Sequence, residues 1–389
     1  MSAQYRNAVG VSVMHINIVG AGPSGLYFAY LMKKTWPAWR IRVFEQNAHD
    51  DTFGFGVVLS GRALSFLSDA DSSIVDRLLT HMQTWSDQHI ILNGKRVVID
   101  GSSFSAISRL VLLEQLQNIC MAAGVEIEYR RRISDPARLS DCDVLVAADG
   151  ANSAVRDAFP QQFGTEIIDL KNYFAWYGVK KPYPAHTLTF LSRPDGAFCG
   201  HHYRYTPAMS TFVAEVDAQT WTSSGLADMS EDQRRTFSED VFHATIDDGA
   251  FIDNRSIWRR YRIVKNKTWH HRNIVLIGDA LRTAHPSIGS GTRLAIEDSI
   301  ALWRAFQAEG SDIFATFKRF QSEREPVRDK LNRAAELSIA WYESMAGKLQ
   351  MHPLDFTYDY MLRTGVMTQE RLIRDCPHFM AQFVAHAGA

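Results

Sequence analysis

The chain has little cysteine, almost no net charge and no long apolar run, and each shortage excludes a class of protein. Its four cysteines, Cys120, Cys142, Cys199 and Cys376, are far apart in 389 residues. There is no Cys-x-x-Cys pair and no cysteine–histidine ligand spacing. A disulfide framework, a zinc site or any other metal is therefore not expected, and reduced thiols in a cytoplasmic protein fit best. The formal net charge is −1, so no bulk field draws nucleic acid or anionic lipid. The cluster Tyr129-Arg130-Arg131-Arg132 is short and reads as a solvated strand end. No apolar run reaches the roughly 18 residues of a membrane helix. Residues 1–13 hold one Arg and no apolar core; they read as a loose tail and not a signal peptide. Repeats and low-complexity segments are missing as well.

What is present is an ordinary 46% of hydrophobic residues, enough for a full core. The length suggests a nucleotide domain plus a second lobe. The chain is organised around one stretch near its start. The apolar run from Val13 to Val19 ends in Gly20-x-Gly22-x-x-Gly25, and a helical pattern through Tyr27, Ala29, Leu31 and Met32 follows at once. In such a strand–turn–helix, Gly20 allows the turn, Gly22 lets backbone approach a pyrophosphate and Gly25 lets helix pack on strand. The helix start then turns bare N–H groups toward the phosphates. A second strand pattern, Ile41-Arg42-Val43-Phe44, ends in Glu45, about twenty residues on, where an acid binds the ribose of a dinucleotide.

Further along, Gly54-Phe55-Gly56 precedes an apolar run. Two glycines two apart mark either a backbone passing something flat or bulky, such as a cofactor ring, or a simple bulge. Residues 61–86 read as helix and then irregular. Two apolar runs around Asn93-Gly94 form a hairpin signal. Ser108 is the expected N-cap of a helix bearing Leu110, Leu113, Leu116 and Ile119. Arg109, in its first turn, is poorly placed for the helix dipole; it fits an anionic ligand or an exposed side chain. The buried strand Asp143 to Ala148 runs into Asp149-Gly150, so the first domain is interrupted and resumed. Residues 172–216 hold four strand patterns rich in aromatic rings, separated by turn residues, and read as a mostly antiparallel sheet. Residues 229–246 read as an amphipathic helix. A last buried strand from Asn273 to Ala280, with Gly278-Asp279, leads to His285-Pro286-Ser287-Ile288-Gly289-Ser290-Gly291-Thr292 and a helix. From about Ile313 to Phe383 the chain is helical, and Pro326 and Pro353 are expected to break it.

Three separated elements agree: Gly20-x-Gly22-x-x-Gly25 with Glu45, Asp149-Gly150, and Gly278-Asp279 with Pro286, Gly289 and Gly291. Together they resemble the single-chain flavoprotein aromatic hydroxylases of the p-hydroxybenzoate hydroxylase fold, over most of residues 14–345. Gly54 to Ser60, Met209 to Glu215 and His285 to Thr292 are similar to a branch holding salicyloyl-CoA and anthraniloyl-CoA hydroxylases and protodeoxyviolaceinate monooxygenase. The resemblance implies an α/β fold: a Rossmann-like FAD-binding domain with a parallel sheet, interrupted by a mostly antiparallel substrate sheet, then C-terminal helices. The expected domains are 14–170 with an inserted hairpin at 87–100, a substrate sheet at 171–268, the FAD domain's return at 269–330, and helices at 331–389.

The resemblance also implies FAD and NAD(P)H as cofactors, and O2 with a small aromatic substrate, an aryl-CoA thioester or an indole-like ring, hydroxylated through a flavin hydroperoxide. Gly20, Gly22 and Gly25 would hold the FAD pyrophosphate and Glu45 its ribose. Arg109, Asp149, Gly150 and Asp279 would approach the cofactor, and Gly289, Gly291 and Thr292 would lie along the flavin's pyrimidine edge. His201 matches a histidine-bearing strand of the branch and is the first candidate for a catalytic base. His285 is the second. A strand histidine is also commonly structural. Tyr203 and Tyr205, on the face of His201, and Trp176 in the aromatic sheet are the expected substrate contacts, and most aromatics of that sheet are ordinary core. The basic run Arg255, Arg259, Arg260, Arg262, Lys265 and Lys267 fits either CoA phosphates or a solvated strand. The chain departs from the family's usual pattern at Arg282, where histidine is common, and at Arg293. Three rival readings carry different chemistry. One is a two-component monooxygenase of styrene monooxygenase type fed with reduced FAD. A halogenase is disfavoured because no Trp-x-Trp-x-Ile-Pro element exists, and the third is a non-catalytic FAD-binding protein. Monomer and homodimer both remain open.

Overall fold

The computed structural model describes residues 13–101, 103–139, 141–289 and 291–388, with Arg62 described in its backbone alone. The expected tail, except for Val13, lies outside the described residues. The first strand, His15–Val19, is the centre of a six-stranded sheet. Its order is His270–His271, Ile274–Leu276, Val144–Ala147, His15–Val19, Arg40–Phe44, Glu126–Glu128. All neighbours are parallel apart from the edge strand His270–His271. The inner strands are buried on both faces, which is why they read as continuous apolar runs. Helix Pro23–Thr35 packs on the sheet through Leu26, Phe28 and Leu31.

A second sheet has eight strands and is mostly antiparallel. Four of them, Thr165–Val179, His186–Arg193, Gly196–Arg204 and Ser210–Val216, come from the aromatic region. The first begins at Thr165, ahead of the expected boundary at 171. The hairpin expected as an insert of the FAD domain also sits here, because Gln88–Leu92 pairs in parallel with His186–Arg193. Its turn has positive φ at both Asn93 (48°) and Gly94 (83°), as a two-residue hairpin turn requires.

The two faces of this sheet do different work. One carries Tyr177, Phe198, Phe212 and Val216 into a core with Leu226, Val241 and Phe242. The other carries Leu188, Phe190 and Cys199 against Trp341, Tyr342, Phe356 and Phe379 of the C-terminal helices. Full burial of Leu188 or Phe190 is worth ~1.5–3 kcal/mol each. Further along that second face stand His201, beside Tyr342, and Tyr203, which bonds Gly56.

Pro326 does not break the last long helix, which runs unbroken as Ile313–Glu343. An interior proline costs about 3 kcal/mol. The side chains on either side of it offset that cost by clamping the helix. Arg324 Nε donates to Asp298 Oδ1 at 2.9 Å, Arg328 Nε donates to the same oxygen at 3.1 Å, and Arg328 also bonds Asp298 Oδ2. Arg324 and Arg293 share Glu297. Pro353 starts the helix Pro353–Leu362 rather than ending one, as proline at a first helical position can. The strand expected to reach Ala280 ends at Leu276, and Gly278, with φ 61°, opens the short helix Gly278–Leu281. His352 stacks on His386 at 3.8 Å, and His386 Nε2 lies 3.2 Å from Asp355 Oδ2, tying the last helix down.

Candidate active site

The carboxyl ends of four neighbouring parallel strands bring the separated motifs together. His15–Val19 delivers the glycine loop, Arg40–Phe44 delivers Glu45, Val144–Ala147 delivers Asp149-Gly150, and Ile274–Leu276 delivers Gly278-Asp279. This edge is where open α/β sheets bind their ligands.

The glycines divide into two kinds. Gly20 has φ 103°, and a Cβ there would meet the Ala148 carbonyl oxygen at 2.4 Å. A Cβ on Gly25 would lie 2.1 Å from the Gly20 carbonyl oxygen. Those two are required by the protein itself. At Gly22, Gly150, Gly289 and Gly291 a Cβ would meet nothing within 4 Å. Those four border open space, and Gly22 has an ordinary φ of −74°. Nothing in the chain demands glycine at position 22. The open space beside it fits a ligand passing close to the backbone.

The polar groups around that space fit an anionic, hydroxyl-bearing cofactor. Glu45 Oε2 accepts from the Ala21 N–H at 2.8 Å, and its Oε1 accepts from the Asn47 N–H at 2.8 Å, so the carboxylate is fixed against the glycine loop. Asp149 Oδ2 accepts from the Val155 N–H at 3.3 Å, while its buried Oδ1 has no partner within the chain. A buried orphan oxygen calls for a donor. Asp279 is the exposed residue in an otherwise buried run, so its carboxylate opens into the cleft. The walls of the cleft partly desolvate this carboxylate although it meets solvent, which raises the pKa of Asp279, opposed by the charges of Arg328 and Arg109. Burial lowers that of Arg109, opposed by Asp279. Arg109 Nε donates to Thr52 Oγ1 at 3.1 Å. Among the described residues, no carboxylate is hydrogen-bonded to this cation, which lies within electrostatic reach of Asp279. Ser108 precedes the helix Arg109–Ala123 as expected, but its side chain makes no cap hydrogen bond. The helix Gly291–Glu309 starts at Gly291 and Thr292 with no acid in its first turn.

On the facing sheet, His201 Nε2 lies 3.3 Å from Glu215 Oε2, and the Tyr342 ring lies 5.3 Å from the imidazole. Glu215 is opposite Phe174 across the strand pair. Phe174 touches Tyr261, with ring centres 4.5 Å apart, and Tyr261 touches His285 at 4.7 Å. A continuous wall therefore joins His201 to the Gly289 loop. His285 is 3% exposed, and its Nδ1 accepts from the Ser287 N–H at 3.2 Å. Burial pushes its pKa down to about 4. With Nδ1 occupied as acceptor, the neutral ring carries its proton on Nε2, so His285 is a donor and a weak base.

Trp176, Tyr203 and Tyr205 are committed to a seam. Tyr203 donates its hydroxyl to the Gly56 carbonyl oxygen at 2.9 Å. A Cβ on Gly54 would lie 3.1 Å from the Trp176 ring, and one on Gly56 would lie 2.5 Å from Tyr205. The flat objects that these glycines pass are side chains of the second sheet. Their glycine signal records packing of Phe55, Tyr203 and Tyr205 in one small core. Half of the basic run is paired with carboxylates: Arg262 with Asp169, Lys265 with Glu336, and Arg255 with Asp51. Arg282 pairs with Asp329 and Arg293 with Glu297.

Several site features left no sequence signal. Arg363 comes from the C-terminal helices, donates to the Ser287 carbonyl oxygen at 2.8 Å and lies 3.8 Å over the Tyr360 ring. Asn172 donates to Glu215 Oε1 at 2.8 Å. Asp298 accepts from the Gly278 N–H at 3.1 Å and so holds the Gly-Asp turn. Each acts across a fold contact distant in sequence.

Residues 114–335 match a family described as an FAD binding domain, and residues 18–54 match an NAD(P)-binding Rossmann-like domain. Salicyloyl-CoA 5-hydroxylase of Streptomyces sp is 33% identical over 361 residues, covering 90% of this chain and 70% of that protein. The 3-hydroxy-4-methyl-anthranilyl (aryl-carrier protein) 5-monooxygenase of Streptosporangium sibiricum is 33% identical over 329 residues, 85% of this chain and 89% of that one. Protodeoxyviolaceinate monooxygenase of Chromobacterium violaceum is 28% identical over 360 residues, 90% and 94%. The crystal structure of a 2-methyl-3-hydroxypyridine-5-carboxylic acid oxygenase variant superposes with a TM-score of 0.71 at 18% identity, over 94% of this chain and 96% of that one.

Proposed function

The chain belongs to the FAD-dependent aromatic monooxygenases, enzymes that use NAD(P)H and O2, and we propose that its substrate is an electron-rich aromatic acid held as a thioester. Two relatives are named for a salicyloyl-CoA and for an anthranilyl group on an aryl-carrier protein. Both rings bear a hydroxyl or an amine beside the acyl group. The observation that carries the reading is the wall from His201 through Glu215, Phe174 and Tyr261 to His285. It sets an imidazole opposite the loop at Gly289.

FAD, when bound, moves two electrons from NAD(P)H to O2 and supplies an electrophilic oxygen to the ring. In this proposal Gly22, Glu45, Arg109, Asp149 and Asp279 would hold its phosphates and ribose, and Gly289, Gly291 and Thr292 would border its ring. Arg109 supplies the positive charge that phosphates need. The N–H groups at the start of Gly291–Glu309 would favour negative charge on a cofactor ring held there.

The substrate ring lies against Phe174, Tyr261 and Tyr342, which keep water from the oxygen. His201 takes the proton from the ring hydroxyl or amine, so the electron pair left behind makes the ring carbon a better nucleophile. His285 donates from Nε2 to an oxygen of the substrate. The test is oxygen incorporation: FAD-loaded enzyme with NAD(P)H, salicyloyl-CoA or anthraniloyl-CoA, and labelled O2. One labelled oxygen atom in the ring product supports the reading. NAD(P)H consumed to peroxide alone with both thioesters contradicts the substrate class.

A further inference from the structure

Three adjacent strands each contribute one residue to a chain of polar contacts. His201 stands on Gly196–Arg204, Glu215 on Ser210–Val216 and Asn172 on Thr165–Val179. His201 is directly opposite Val213, and Glu215 is one pleat further along the same strand, within side-chain reach. Glu215 Oε2 meets His201 Nε2 at 3.3 Å, and Glu215 Oε1 accepts from Asn172 Nδ2 at 2.8 Å. Glu215 and Asn172 are each 5% exposed. An ionised carboxylate only accepts. His201 Nε2 also lies 3.5 Å from Cys199 Sγ, a weaker partner than the carboxylate. With the ionised Glu215 as the stronger acceptor, Nε2 carries the proton, and in the neutral ring Nδ1 then holds the lone pair. Among the described residues, no hydrogen bond engages Nδ1.

The titratable groups near His201 are Glu215, Cys199, Tyr342, His186 and His285, together with His202 on the opposite face of the same strand. Burial lowers His186 to about 3 and His285 to about 4, and pulls His202 well below its ordinary value. Burial raises the Cys199 thiol and the Tyr342 hydroxyl. Burial alone would raise Glu215 too, but its bonds to His201 and Asn172, with the charges of His201 and His285, leave it below its ordinary value. Glu215 is thus the one member of this group that is charged near neutral pH.

We infer that Glu215, itself fixed by Asn172, is a positioning residue that holds His201 in the tautomer with Nδ1 free to accept the proton of the substrate's ring hydroxyl or amine. The proton passes from the substrate O–H or N–H to Nδ1. The bonding pair stays on the heteroatom and is shared into the ring. Nε2–H remains bonded to Glu215, whose charge balances the imidazolium until the proton leaves to solvent. No electron is transferred in this step. The inference rests on His201 being the base.

The test uses the FAD-loaded enzyme and three variants, E215Q, E215D and H201Q, with FAD content and far-ultraviolet circular dichroism as checks on folding. Glu215→Gln keeps the shape but removes the anion, so it lowers kcat roughly 10- to 100-fold, as loss of a partner orienting a working imidazole does, with a smaller change in KM. Glu215→Asp recovers part of kcat. Nitrogen-15 shifts of labelled histidine, with His201 assigned by its loss in H201Q, report the tautomer without turnover: protonated Nε2 in the wild type and a mixture in E215Q. A folded E215Q with wild-type kcat overturns the inference, as does a wild-type His201 protonated on Nδ1. H201Q with wild-type kcat overturns the base assignment itself, and this inference with it.

Discussion

Gly56 and Tyr205 approach so closely that a Cβ on the glycine would lie 2.5 Å from the tyrosine's own Cβ. The contact joins the small sheet of Gly56–Ser60 to the substrate sheet, and the Tyr203 hydroxyl bonds the same glycine's carbonyl oxygen. Gly56→Ala should therefore lower stability by about 1–3 kcal/mol through overpacking. In a Tyr205→Gly background the loss should shrink, because the clashing Cβ is gone. Urea unfolding of the four proteins of that cycle measures the coupling. Equal losses in both backgrounds would show that the contact is not what excludes a side chain.

The two kinds of glycine in the nucleotide loop separate ligand demands from chain demands. Gly22→Ala meets no atom within 4 Å and keeps an allowed φ of −74°. It should leave unfolding of the FAD-free protein unchanged and weaken FAD binding about tenfold or more, a loss of ~1.4 kcal/mol. Gly25→Ala should destabilise the FAD-free protein itself, since its Cβ would strike the Gly20 carbonyl at 2.1 Å. Calorimetric titration with FAD, beside thermal unfolding without it, separates the two.

Stability should fall as pH falls below neutrality. The His285 imidazole is ordinarily near 6.5 and is brought to about 4 by burial, and His186 is brought to about 3. Each is buried neutral, so the unfolded chain takes up the proton first. Their contribution is present in full above pH 6.5. It fades as pH falls, ending near pH 4 for His285 and near pH 3 for His186. For His285 the whole effect is on the order of 3 kcal/mol. His285→Asn should flatten the pH dependence of unfolding between pH 6.5 and 4. An unchanged slope would mean that His285 titrates alike in both states.

Asp298 is fully buried and holds Arg324, Arg328 and the Gly278 N–H together. Asp298→Ala would strand two buried guanidinium groups, and breaking a buried pair in this way costs about 3–5 kcal/mol. Because Gly278 precedes Asp279, the variant should lose FAD affinity as well. Urea unfolding and FAD titration read the two effects, and a loss of stability with FAD affinity intact would uncouple the network from the cleft.

The motifs legible in the sequence were those whose constraint is local. A tight turn needs Gly20, a two-residue hairpin needs positive φ at Asn93 and Gly94, and a doubly covered strand such as Val144–Ala147 must be apolar throughout. These demands act within a few residues, and the chain displays them in order. The glycines at 54 and 56 gave a true signal of close approach but could not say to what, and the partners are Trp176 and Tyr205. Pro326 looked like a stop because the clamp that carries the helix through it, Asp298, lies on another helix. Asn172, Glu215 and His201 are far apart in sequence and meet only through strand register, and Arg363 reaches the Ser287 loop from the last helices. No local pattern announces such pairs.

The central claim is that this chain alone accepts electrons from a nicotinamide and delivers oxygen to an aromatic thioester. Anaerobic mixing of the FAD-loaded protein with NADH or NADPH, with flavin absorbance followed over time, tests it most directly. The account predicts bleaching by one or both nicotinamides that speeds up when salicyloyl-CoA or anthraniloyl-CoA is present, and less with an indole. Absorbance that stays unchanged with either nicotinamide and every aromatic would contradict it.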